Sequence, residues 1–187
     1  FLIKILKLSI IIIVYSNYFL IILNYQKTTN KMNKTILGLD KKETANLVGE
    51  LNGLLSNFQI YYQNLRGLHW NIKGKNFVEL HVKFEEFYTD SQVKIDDIAE
   101  RILTLQGKPL HTFSDYVQNA TVPVGKDISN DVEGVELVVN SLSELLKIER
   151  VILELSDNAD DEGTNSMMSD FIAEQEKTIW MLNSWLG

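Results

Sequence analysis

Apolar residues recur every three or four positions through four long stretches, and both prolines, Pro109 and Pro123, fall in the gap between the second and the third. That spacing places the apolar side chains on one face of a helix. The first stretch opens at Asp40 and Glu43, a capping-box-like start, and continues through Leu47, Leu51, Leu54, Phe58, Tyr61, Leu65 and Leu68 to about Ile72. Lys73-Gly74-Lys75 interrupts it. Phe77, Leu80, Phe84, Tyr88, Ile95, Ile98, Ile102 and Leu105 then repeat the pattern until Gly107 and Pro109 end a second helix.

Residues 107–126 read as a long crossover in which Ser114-Asp115-Tyr116 forms a short helical turn. Val135, Val138, Leu142, Leu145, Ile148, Ile152 and Leu155 mark a third long helix, and Asp157 to Gly163 reads as an acidic loop. Met168, Phe171, Ile172, Ile179, Leu182 and Leu186 mark the last helix. Four amphipathic helices joined by short, long and short connections predict an all-α, ferritin-like four-helix bundle with a short helix in its crossover.

The 187 residues contain no cysteine, which removes disulfides, thiol nucleophiles, iron–sulfur ligation and zinc ribbons. Chemistry has to come from carboxylates, imidazoles and hydroxyls. Residues 1–31 carry Lys4, Lys7, Lys27 and Lys31 and no acid, so residues 32–187 hold 14 basic side chains against 25 acidic ones, a formal −11. A body this acidic repels phosphate backbones and attracts cations.

Residues 8–23 form an apolar run of 16 positions, interrupted by Ser9, Ser16 and Asn17 and shorter than the roughly 20 residues of a spanning helix. Lys4 and Lys7 precede it, yet no small-residue cleavage site follows. The chain begins with Phe1, whereas Met32 opens MNKTILGLDKKET at the start of the first helix. We read residues 1–31 as upstream sequence, rich in the residue types that AT-rich DNA encodes in any frame, and 32–187 as the domain. The alternative is a hydrophobic N-terminal anchor.

His69 lies about five residues before the break at Gly74 and His81 about seven after it. In an antiparallel hairpin the two come level and can face one metal, with Glu85 on the same face as His81. Asp96 and Glu100 form a second acidic pair four positions apart. His81 and Asp96 are 15 residues apart, roughly 22 Å along a helix at ~1.5 Å per residue, so one chain cannot unite them. A two-fold copy laid antiparallel, with its axis near Tyr88 to Asp90, can. The expectation is an intersubunit site made twice per dimer, whose nitrogen and carboxylate ligands suit Fe(II), Mn or Zn. Taken singly, each histidine is equally readable as an ordinary core or surface residue and the acid pair as a solvated face. The Glu-x-x-His motifs of an ordinary di-iron bundle are missing, since Tyr88 follows Glu85 and Leu103 follows Glu100 at that spacing.

LHWNIKGKNFVELHVKFEEFYTDSQVKIDDIAERILTLQGKPL, residues 68–110, resembles the Dps family, the DNA-binding mini-ferritins of starved cells, and the resemblance extends from about 33 to 187. The resemblance implies a ferroxidase centre between two-fold related subunits, with His69 and His81 of one meeting Asp96 and Glu100 of the other and Glu85 as an auxiliary ligand. Trp70 matches a position beside the iron that serves as a radical sink, and Arg101 one that forms an ion pair; packing and a surface salt bridge are their ordinary alternatives. Also implied are a hollow homododecameric shell in the bacterial cytoplasm or nucleoid, Fe(II) as substrate, hydrogen peroxide as the preferred oxidant, a stored ferric oxide core, and protection of DNA from oxidative damage. Asp157, Asp161 and Glu162 resemble a three-fold iron-entry pore, although Ser166 stands where another pore acid is expected, and a solvated loop is the alternative.

Family members that bind DNA generally use a lysine-rich tail, and from Met32 onward this chain offers only Lys34, Lys41 and Lys42 before its acidic body. DNA binding is expected to be weak or absent. The rival function is a nucleoid-compacting DNA-binding protein with incidental metal binding; a membrane-anchored protein would require residues 1–31 to be real. His111, in the crossover, reads as a solvated loop residue.

Overall fold

A computed structural model describes residues 15–24 and 33–187. The expected N-terminal segment therefore lies largely outside the described residues. By its internal contacts the chain divides into Phe1–Lys42 and Glu43–Gly187. In the first unit, residues 15–24 are helical (α1), and Lys34 and Asp40 form an isolated antiparallel bridge. The turn between them places Gly38 at φ 83, a left-handed conformation that glycine adopts without steric cost. Among the described residues no helix is long and apolar enough to cross a membrane.

The second unit is all-helical: α2 (Lys41–Asn71), which begins in the last residues of the first unit, then α3 (Phe77–Thr104), the short α4 (Phe113–Asn119), α5 (Asp131–Asn158) and α6 (Glu162–Leu186). The helical periodicity places Leu47, Leu51, Leu54, Phe58 and Leu65 of α2, Phe84, Ile98 and Ile102 of α3, Val135, Leu145 and Ile152 of α5, and Met168 of α6 in the buried core. This is the ferritin-like bundle with one long crossover, and the short helix expected within that crossover is α4, capped by Thr112, whose side chain accepts from the Asp115 N–H.

Three asparagines fasten the crossover, a function the apolar pattern does not reveal. Asn52 Oδ1 accepts from the Leu110 N–H at 2.8 Å, Asn57 Oδ1 from the Thr121 and Val122 N–H groups at 2.8 Å each, and Asn64 Nδ2 donates to the Pro123 carbonyl at 2.7 Å. Asparagine is a poor residue for a helix interior. Here it satisfies backbone groups that a structureless segment would otherwise bury unpaired.

Two expectations need correction. The acidic segment is barely a loop: α5 continues through Asn158 and α6 begins at Glu162, so only residues 159–161 are non-helical, with Asp160 at φ 57. Phe77, counted in the apolar face of the second helix, is 40% exposed. It sits at the first position of α3, where its ring stacks on His81 at 5.1 Å.

Candidate metal centre

His69 stands in the last turn of α2 and His81 in the second turn of α3, on either side of the tight connection that holds Gly74 at φ 111. Their imidazoles stack with centroids 3.8 Å apart and planes 18° from parallel. Each is tied to the other's backbone: His69 Nδ1 lies 2.7 Å from the His81 carbonyl oxygen, and His81 Nδ1 lies 2.8 Å from the His69 carbonyl oxygen. A carbonyl only accepts, so both Nδ1 atoms carry the proton and donate. In the neutral rings this leaves both Nε2 atoms as lone-pair donors for a cation, the orientation that a metal-ligating histidine needs. The His69 carbonyl is also among the four that α2 leaves without an intrahelical donor, so the His81 ring caps that helix end.

Glu85, one turn beyond His81, completes the set: His69, His81 and Glu85 each offer a ligand atom, and these atoms lie within 4.8 Å of one another. The histidines are half-buried and the carboxylate exposed, so the group opens to the surface. Tyr88 flanks it edge-on, with its ring centroid 5.4 Å from that of His69. Burial, reinforced by the Glu85 carboxylate, raises the Tyr88 phenol above its ordinary value. Sequence reading missed this ring contact because it counted Tyr88 as an apolar core residue. Its position, three after Glu85 and seven after His81, was the available signal.

Asp96 and Glu100 do not join this group within one chain, as the helix rise requires. Both are exposed on α3: Asp96 lines a surface recess with Gln92 and Val93, and Glu100 lines another with Asp97, Asp170 and Ser166. Trp70 is 58% exposed, and the Arg66 guanidinium lies 4.6 Å above its ring, a cation–π contact one helical turn apart. His111 is exposed in the crossover, with Nδ1 3.3 Å from the Pro109 carbonyl oxygen.

The three acids expected at a pore separate. Asp157, the penultimate residue of α5, and Glu162, the first of α6, are exposed and free of the core. Asp161 is instead buried, 3% exposed, and its carboxylate is fully engaged. It caps α6 through the Thr164 N–H, accepts the Thr164 hydroxyl at 2.6 Å, and pairs with the Arg101 guanidinium. Arg101 Nε also donates to Thr164 Oγ1 at 2.9 Å. Asp161 is therefore a structural acid that no passing cation can reach. The ion pair expected of Arg101 ties the C-terminal end of α3 to the α5–α6 turn.

The bundle interior holds a second polar group. Glu149 is completely buried, its Oε1 accepts from Gln175 Nε2, and Glu149 Oε2 and Gln175 Oε1 have no partner. Lys94, 5% exposed, pairs with Asp90 and with Glu174 at 2.8 Å. An ammonium thus stands in the interior of the bundle, the region that in a di-iron bundle carries metal-ligating carboxylates.

The ferritin-like domain family matches residues 48–187. A DNA protection during starvation protein of Porphyromonas gingivalis is 41% identical over 150 residues, which cover 80% of this chain and 94% of the relative. An uncharacterised protein of Haemophilus influenzae is 46% identical over 153 residues, 82% of this chain and 96% of its own. The crystal structure of a Dps protein of Vibrio cholerae O1, described as a member of a broad superfamily of ferritin-like diiron-carboxylate proteins, matches with a TM-score of 0.81 and 49% identity over 83% of this chain and 98% of that one. This helical bundle, with one long crossover and a histidine–carboxylate cluster at its first hairpin, belongs to the Dps family of ferritin-like proteins.

Proposed function

We propose that this chain is the subunit of an iron-sequestering ferroxidase whose catalytic centre is shared between two copies. His69 and His81 of one copy bind Fe(II) through their Nε2 atoms, Asp96 and Glu100 of the other supply carboxylates, and Glu85 is an auxiliary ligand. The observation that carries this reading is the reciprocal histidine pair, which fixes both tautomers and leaves two nitrogens beside an exposed carboxylate. Nitrogen and carboxylate oxygen together suit Fe(II), with Mn and Zn as competitors. Asp96 and Glu100 face outward on the same helix, where an antiparallel copy can present them to the histidines.

In the reaction two Fe(II) each give one electron to hydrogen peroxide, the preferred oxidant. Its O–O bond breaks, and two protons complete two waters. The Fe(III) product is stored as a ferric oxide core inside a homododecameric shell in the bacterial cytoplasm. Removing both reagents in one step protects DNA without hydroxyl radical, and Trp70, exposed beside the histidines, accepts stray oxidising equivalents. Asp157 and Glu162, without the buried Asp161, remain the candidates for the iron-entry pore. The functional unit is residues 32–187; with its formal charge of −11 it protects DNA by chemistry rather than by coating it.

The test is Fe(II) oxidation by stoichiometric peroxide, followed by absorbance, in the protein and in a His69→Ala/His81→Ala variant. Fast oxidation to a soluble ferric product, lost in the variant, supports the reading. Equal rates would make the histidines structural.

A further inference from the structure

A di-iron bundle keeps metal-ligating carboxylates in its interior, and the interior of this one does not fit that arrangement. Its polar group draws on all four long helices: Tyr61 of α2, Asp90 and Lys94 of α3, Glu149 of α5, and Glu174 and Gln175 of α6. Lysine is almost never fully buried unless it is paired. Lys94 Nζ donates to Asp90 Oδ1 at 2.6 Å, to Asp90 Oδ2 at 2.5 Å and to Glu174 Oε2 at 2.8 Å, and it lies 5.3 Å from the centroid of the Phe171 ring. Two carboxylates from different helices thus converge on one point, as ligands converge on a metal, and the charge at that point is an ammonium.

An ammonium has three hydrogens to donate, and Asp90 and Glu174 take them. Two further buried oxygens, Glu149 Oε2 and Gln175 Oε1, are left without a partner among the described residues. The cavity that Lys94 lines with Asp90, Glu174 and Gln175 is about 20 Å³, room for a single water and not for a hydrated divalent ion. We propose that Lys94 is the resident cation of a metal-type site inside each bundle: its ammonium stands where a divalent ion would meet the oxygens of Asp90, Glu149, Glu174 and Gln175, and so keeps metal out of the bundle. Without the ammonium these four side chains form an oxygen set of the kind that suits Mn(II). Asp90 and Glu174 are each about half exposed, so water can solvate them when Lys94 is removed and an ion can enter from their side. This interior group shares no residue with the shared centre proposed above, and neither reading depends on the other.

The experiment counts Mn(II) bound per chain, from the loss of the free-ion electron paramagnetic resonance signal, in the full chain at about pH 8, where Glu149, pushed up to about 7, is largely ionised. The unchanged protein is compared with Lys94→Ala, Lys94→Arg and Lys94→Ala/Glu149→Gln. The expected result is one more Mn(II) per chain in Lys94→Ala than in the unchanged protein, and no gain in Lys94→Arg, which keeps the cation, or in the double variant, which loses the buried carboxylate. Lys94→Gln removes the charge while keeping a long polar side chain, and it carries the same comparison if Lys94→Ala does not fold. An equal count in the neutral variant and the unchanged protein overturns the proposal. So does an extra ion that persists in Lys94→Ala/Glu149→Gln, because it would then be held by surface acids. A difference in count reads the interior site whether or not His69 and His81 bind metal, so failure here is separate from failure of the shared centre.

Discussion

His69 and His81 each donate an Nδ1–H to the other's backbone carbonyl, at 2.7 and 2.8 Å, so the candidate ligand pair and the closure of the first helical hairpin are one structure. Removing the His81 ring leaves the His69 carbonyl, at the end of α2, without its donor, whereas removing the His69 ring takes one donor from the His81 carbonyl. His81→Ala should therefore reduce stability by about 1–3 kcal/mol in addition to abolishing metal binding. Urea unfolding of the metal-free protein measures the first effect separately from the second.

A centre shared between copies makes a prediction that no single-chain site can satisfy. His69→Ala/His81→Ala chains and Asp96→Ala/Glu100→Ala chains are each expected to be inactive. Co-assembled in equal amounts, they should recover roughly a quarter of the sites, because a mixed two-fold pair contains one intact centre and one lacking both histidines and both of the partner carboxylates. Peroxide-dependent Fe(II) oxidation by the mixture checks this; no recovery would place the site within one chain.

Glu149 gives the bundle a built-in pH dependence. Burial pushes its carboxyl up to about 7 from 4.5, against the opposing effects of Gln175, Lys94 of α3 and Arg150 of its own helix. Tyr61 of α2, Asp90 of α3 and Glu174 of α6 complete the polar surroundings. The protonated acid can donate from Oε2 to the unpartnered Gln175 Oε1, closing a two-bond acid–amide ring. A raised value means that the contribution is fully present below the unfolded value near 4.5 and is lost as pH rises through about 7. Its size is on the order of 3 kcal/mol. Glu149→Gln, which forms the same ring as an amide pair, should flatten the dependence of the urea midpoint between about pH 5 and pH 8.

Asp161 and Arg101 form a largely buried ion pair at the α5–α6 turn, with side chains 2% and 19% exposed. Asp161→Ala leaves the guanidinium unpaired and strips the cap from α6, so it should cost about 3–5 kcal/mol. Asp161→Asn keeps a capping oxygen and should cost less. Thermal unfolding distinguishes the two. Gly163→Ala should also destabilise, since its Cβ would stand 2.9 Å from a guanidinium that Asp161 and Thr164 hold in place.

Much of this was legible before any coordinates. The periodicity of Leu47 to Leu68 and its three successors specified four helices because burial of one face recurs with the helical repeat, and that repeat is written in residue types. The level placement of His69 and His81 followed from counting residues to Gly74. Their separation from Asp96 followed from the rise per residue. The roles of Asp161 and Tyr88 were not legible. An aspartate in a run of acids looks the same in a sequence whether it is solvated or buried, and here Arg101, 60 residues earlier, decided it. Tyr88 fits an apolar helix face as well as an edge-on contact with His69.

The sequence by itself determined the helices, their order, the one long crossover, the absence of thiol chemistry and the two groups of potential ligands, because each depends on local spacing or composition. Tertiary structure decided which nitrogen of each histidine carries the proton, which acids are spent on structure, and that Lys94 stands in the bundle interior. Those outcomes depend on what lies opposite each side chain in space, and contacts such as Lys94 with Glu174 or Arg101 with Asp161 join residues from distant parts of the chain.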